Sequence, residues 1–190
     1  MSSYNHFASG AITVLAIAAG GFAYGSGDYD DRADRPAWSE RTGAVTAAVD
    51  NSRYLELCGS CHFPYQPGLL PALSWERIMS AGQKHFGASV ELNSTERSLI
   101  TNYLLNNAAG RVDDALANRI MVAQRGAVPA SITGSRLFLD EHDKIAPAMV
   151  KDNPGVRSLS ECGACHTGAK AGDFSERQLV IPGYGRREGD

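Results

Sequence analysis

The sequence predicts a mainly α-helical fold with extensive loops, divided near residue 111. Three observations lead there. Apolar residues recur three and four apart, the spacing of one helix face, in several separate stretches. No stretch shows the alternation of a half-buried strand. Pro and Gly interrupt the chain between the periodic stretches, most densely from Phe63 to Leu73 with Pro64, Pro67, Gly68 and Pro71. With 43% hydrophobic and 21% charged residues the chain reads as globular, and 190 residues allow one large or two small domains.

The first 27 residues carry no Asp, Glu, Lys or Arg, and Ala11 to Ala23 is a run of small and apolar residues. That run has the length of a signal-peptide core, and Gly21-Phe22-Ala23 or Ala23-Tyr24-Gly25 supplies small residues for cleavage. The start, Met1 to Phe7, lacks the usual basic residue. An uncleaved anchor from Phe7 to Tyr24 is the alternative, although its 18 residues barely reach the roughly 20 needed to span a bilayer. Residues 1–25 are therefore read as a signal peptide or N-terminal membrane anchor. Residues 26–42, charged and without apolar periodicity, are read as a linker. Two domains are expected after it, 43–111 and 112–190.

Tyr54, Leu57, Cys58 and Cys61 share one helical face, which predicts a helix from there into a first cysteine motif. A second helix is expected from Ser74 to about Phe86, with Trp75, Ile78, Met79 and Phe86 on its inner side. Asn93 followed by Glu96 marks a capped start. Leu99, Ile100, Tyr103 and Leu104 continue that helix, and Gly110 stops it. Val112, Leu116 and Ile120 suggest another helix, ending near Gly126. A short one around Ser135 to Asp143 puts Phe138, Leu139 and His142 on related faces. Ser158-Leu159-Ser160-Glu161 has the form of a capping box that would open the helix carrying a second cysteine motif.

Those motifs decide the chemistry. Cys58-Gly59-Ser60-Cys61-His62 and Cys162-Gly163-Ala164-Cys165-His166 are both C-x-x-C-H, the attachment signature of c-type haem. On a helical turn two cysteines three apart face the same way and can form thioethers with the two haem vinyl groups. The following histidine then reaches the iron. Gly59 and Gly163 leave room for the macrocycle. A zinc ribbon would need its cysteine pairs roughly 15–20 residues apart, whereas here the second begins 101 positions after the first ends. A thioredoxin-like pair would need a βαβ setting that the pattern lacks. Two haem c groups are expected, attached at Cys58, Cys61, Cys162 and Cys165, with His62 and His166 as proximal iron ligands.

Five histidines are present, and His6 falls in the leader, so His85 and His142 remain for two vacant iron positions. His85 follows His62 by 23 positions and His142 precedes His166 by 24. Each can serve its own half, and a crossed arrangement satisfies the same count. Met79, Met121 and Met149 are the rival ligands. No His or Met follows His166, so such a ligand for the second iron must come from upstream.

The chain resembles the bacterial dihaem cytochrome c family. Tyr54-Leu55-Glu56-Leu57-Cys58 through Pro71, with Ser74-Trp75-Glu76-Arg77-Ile78-Met79, carries the likeness in the first half. Glu141-His142-Asp143, the second motif and Val180-Ile181-Pro182-Gly183 carry it in the second. The resemblance implies two small cytochrome c-like haem domains, the first similar to a monohaem class I cytochrome c. It also implies bis-histidine iron and electron donation, with a small oxygen-binding cytochrome c and a b-type membrane cytochrome as partners.

The expected function is therefore electron transfer outside the cytoplasm, in the periplasm, at low potential and without catalysis. Two six-coordinate irons leave no position for substrate, and bis-histidine ligation lacks the methionine that raises the potential in many cytochromes c. A small haem redox enzyme (peroxidase or oxyanion reductase) would need one iron open. An anchored subunit of a larger redox complex would need residues 7–24 in the membrane. A formal charge of −3 offers no basic face for nucleic acid.

Overall fold

The structure, a computed structural model, describes residues 44–81 and 85–186. The signal-peptide or anchor reading and the linker lie outside them. The described residues fall within one compact unit. They are mainly helical with much irregular chain, as the apolar spacing and the scattered breakers require. None of their helices is long and apolar enough to cross a membrane.

Helix α1, Ser52–Cys58, opens where the Asn51 side chain accepts the Tyr54 N–H, satisfying a free donor of the first turn. Sequence spacing carries this helix on through Cys61, but it stops at Cys58. A Cβ on Gly59 would collide with the Leu55 carbonyl, so the glycine is needed by the backbone itself at this exit. Helix α2, Ala72–Ser80, follows a 3-10 turn at Pro67–Leu69. It starts two residues before the expected Ser74 and ends well short of Phe86, which is exposed rather than on the inner face.

Helix α3, Ser94–Asn106, has the expected reciprocal cap between Asn93 and Glu96. It packs on α2, burying Ile100 and Leu104 with Tyr54, Leu70, Trp75 and Ala108. Fully burying one such leucine contributes about 1.5–3 kcal/mol. Trp75 satisfies its indole N–H on the Pro67 carbonyl at 2.7 Å. Helix α4, Ala115–Gln124, is capped by Asp114 and ends at Arg125 and Gly126, both in the left-handed region. It adds Leu116, Ala117 and Ile120 to a second cluster with Leu69 and Ala109.

Helix α5, Arg136–His142, is capped by the Ser135 hydroxyl, and α6, Cys162–Cys165, is a single turn. The expected capping box before α6 does not form. Ser158 spends its hydroxyl on the Ser160 N–H, and Glu161, the residue before the helix, makes no side-chain cap. The strands Val180–Ile181 (β1) and Gly185–Arg186 (β2) pair antiparallel near the end. Two residues each are too few for an alternating pattern, so the sequence did not announce them.

The two halves share their backbone pairing. Phe174 N–H donates to the Ala44 carbonyl, Thr46 N–H to Gly172, and Leu116 N–H to Val45. Gly172 has φ +78°, and a Cβ there would collide with the Thr46 carbonyl, so only glycine fits this crossing.

Candidate metal centres

At the first centre, α1 delivers Cys58 as its last residue, and Cys61 and His62 follow in the turn beyond it. The motif is therefore a helix end plus a turn, not one helical turn as the spacing suggested. His62 donates its Nδ1–H to the Phe63 carbonyl at 2.6 Å, the proton placement a carbonyl acceptor demands. This fixes the tautomer and leaves Nε2 with a free lone pair.

His85 is not on α2. It sits on a two-residue turn closed by mutual backbone bonds with Ala88, 3.0 and 2.9 Å long. Phe86 and Gly87, at φ +50° and +90°, are its two left-handed residues. The turn still brings His85 opposite His62, with ring centroids 5.9 Å apart and planes 18° from parallel. Tyr65 stacks on His62 at 5.1 Å.

At the second centre, α6 presents Cys162 and Cys165 three apart on its one turn, and His166 closes it by donating its backbone N–H to the Cys162 carbonyl at 2.9 Å. His142, the last residue of α5, donates Nδ1–H to the Phe138 carbonyl at 2.8 Å. Its ring lies on the Phe138 ring at 3.9 Å. His142 and His166 face each other at 6.2 Å, with planes 64° apart. Both border a cavity of about 260 Å³ lined mainly by apolar side chains, among them Ile120, Leu137, Val156 and Leu179, together with both cysteines of the motif. Glu141 and Arg119, ion-paired at 2.6 Å, form a charged part of its wall.

Both centres fit an iron carried in a flat macrocycle. Metal–imidazole bonds of about 2 Å account for roughly 4 Å of each centroid separation, and the ring radii for the rest. Burial lowers the proton affinity of His85, His142 and His166, with His62 adding to it at His85 and His142 at His166. His166 falls to about 4. Neutral imidazole, the form that coordinates a metal, is thereby favoured. The His166 Nδ1 is buried without a hydrogen-bond partner.

Burial pushes the Cys58 thiol up to about 11 and the Cys162 thiol to about 12. Among the described residues no three His, Cys, Asp or Glu side chains gather as a protein-only metal cage would require.

Each spare histidine thus lies opposite the motif histidine of its own half. Among the rival methionines, Met79 packs against the first core cluster and Met149 lines the second cavity. Three contacts that join the centres escaped the sequence reading. Tyr65 donates its hydroxyl to the Ser160 carbonyl at 2.9 Å, burial holding the phenol up at about 12. Gln66 reaches the Ala169 carbonyl, and the Phe63 ring packs where a Cβ on Gly163 would sit 3.7 Å away. These pairs lie about a hundred positions apart, and no local pattern reports them.

Residues 54–174 match the family described as dihaem cytochrome c. No curated protein matches the chain. Among solved structures it is similar to the dihaem cytochrome c of Shewanella baltica, at 36% identity and TM-score 0.59, over 73% of this chain and 98% of that one. A dihaem cytochrome c from Rhodobacter sphaeroides matches at 35% identity and TM-score 0.59, over 68% of this chain and all of its own.

Proposed function

Because the chain belongs to the dihaem cytochrome c family, an electron-transfer family with two covalently bound haem c groups, we propose specific ligands and a specific role for it. Cys58 and Cys61 hold the first haem and Cys162 and Cys165 the second. His62 with His85, and His142 with His166, would hold the two irons. The observation that carries this reading is the two facing pairs of imidazoles, 5.9 and 6.2 Å between centroids, one beside each motif.

The bound haem iron supplies one-electron redox chemistry, and the chain sets its potential. Neutral imidazoles on both sides, with no sulfur ligand, favour the ferric state relative to a His/Met site. The Nδ1–H bonds of His62 and His142 to backbone carbonyls raise ligand basicity and push in the same direction. The protein is therefore a low-potential carrier working outside the cytoplasm, a location that also suits the apolar leader read in residues 1–25. Its partners are other redox proteins. The family resemblance points to a small oxygen-binding cytochrome c and a b-type membrane cytochrome.

An optical redox titration of the purified holoprotein tests the role. Two one-electron waves are expected, both below the range of His/Met cytochromes c. A wave in that higher range would remove the bis-histidine assignment from the corresponding haem and favour a methionine such as Met149.

A further inference from the structure

With His85 assigned to the first haem as above, we infer that it is a releasable ligand, and that the reduced first haem binds a small uncharged diatomic molecule in its place.

The two distal histidines are held very differently. His142 ends a capped helix, its Nδ1–H is bonded to Phe138, and its ring is stacked on the Phe138 ring at 3.9 Å. Withdrawing it costs a hydrogen bond and a ring contact and disturbs the end of α5. Among the described residues no hydrogen bond reaches the His85 ring. Its backbone depends on a two-residue turn whose first central residue is Phe86 at φ +50°. A side chain with a Cβ pays roughly 1–2 kcal/mol in that region. Packing returns little of it, since Phe86 is 67% exposed and meets the His85 ring edge-on at 5.0 Å. The position of His85 thus rests on a turn that carries its own strain, with no hydrogen bond among the described residues to hold the ring.

There is also room beside it. A cavity of about 200 Å³ borders His85, lined by Arg77, Ile78, Ala81, Phe86 and Ala130. A water molecule's share of liquid is about 30 Å³, so a diatomic fits easily. The wall is mostly apolar, and Arg77 turns one guanidinium nitrogen toward the Val128 carbonyl at 3.5 Å. Such a wall favours an uncharged guest.

In the exchange, the His85 nitrogen leaves iron with its lone pair, and the incoming molecule donates a lone pair to the same position. No further electron or proton moves. Prior one-electron reduction of the haem is needed, because only ferrous iron returns enough charge to a π-accepting guest. The physiological donor or dithionite supplies that electron.

Carbon monoxide on the dithionite-reduced holoprotein is the probe, followed by absorption. One haem per chain should bind it, at a rate that levels off with concentration because departure of His85 becomes limiting. Phe86→Asn creates Asn-Gly, the sequence best suited to a turn with two left-handed residues. It should slow that limiting rate about tenfold, the equivalent of about 1.4 kcal/mol of relieved strain. His85→Ala identifies the haem, since its oxidised form should lose one low-spin EPR signal. If His85→Ala keeps both low-spin signals, the ligand assignment itself fails. If it removes one but the reduced wild type binds no carbon monoxide, or binds it only at the other haem, the assignment stands and the releasable-ligand inference is overturned.

Discussion

His142→Ala is expected to convert one of the two haems from low spin to high spin in the oxidised protein, leaving the other unchanged. The side chain removed is the one that faces His166 at 6.2 Å, and the cavity around it is lined mainly by apolar groups. Alanine cannot ligate iron, and water is a weaker-field ligand than imidazole. Met149 borders the same cavity and is the one rival that could restore a six-coordinate low-spin iron. It would do so with a raised potential. Absorption and EPR spectra of the variant separate the outcomes. Unchanged potentials with both haems low-spin would show that His142 is not a ligand.

The double variant Cys162→Ala/Cys165→Ala is expected to lose the second haem from the denatured chain. Thioethers survive unfolding, whereas an imidazole–iron bond does not outlast the fold that positions it. Intact mass of the unfolded chain should fall by one haem, and haem staining on a denaturing gel should drop to about half, as expected for one c-type attachment of two. The effect should extend to the fold. Ser160 and Ala169, on either side of the second motif, are hydrogen-bonded to Tyr65 and Gln66 from the first half. A disturbed second motif therefore pulls on the loop that follows His62, and lower stability of the remaining haem domain should accompany the loss.

The chemistry of this protein was largely legible in its sequence, because covalent haem attachment needs fixed residues at fixed spacing. Both motifs stand out, and the count of histidines leaves His85 and His142 for the open positions. The capped start at Asn93 was legible for a similar reason, since it rests on a side chain bonding a backbone N–H within one turn. Where the reading went astray, a local pattern lost to a competing local bond or to geometry. Apolar spacing carried α2 on to Phe86, yet the helix ends at Ser80 and His85 arrives on a left-handed turn that periodicity does not encode. Ser158 looked like a helix cap, but its hydroxyl closes a smaller loop with Ser160. Gly59 was read as space for a macrocycle, and the structure adds a second demand for glycine there, the nearby Leu55 carbonyl. The joining contacts of Phe63, Tyr65 and Gln66 are products of the tertiary fold alone.

The most direct measurement is the low-temperature EPR spectrum of the fully oxidised holoprotein. Imidazole planes lying 18° apart, as in His62 and His85, act on the iron along one direction and split its two π-bonding d orbitals. Planes 64° apart, as in His142 and His166, act nearly equally on both and leave them close in energy. Two low-spin signals of equal weight are expected, one rhombic with three resolved features and one strongly anisotropic with a single large g value. A high-spin signal from either haem would contradict the bis-histidine account, as would two superimposable low-spin signals.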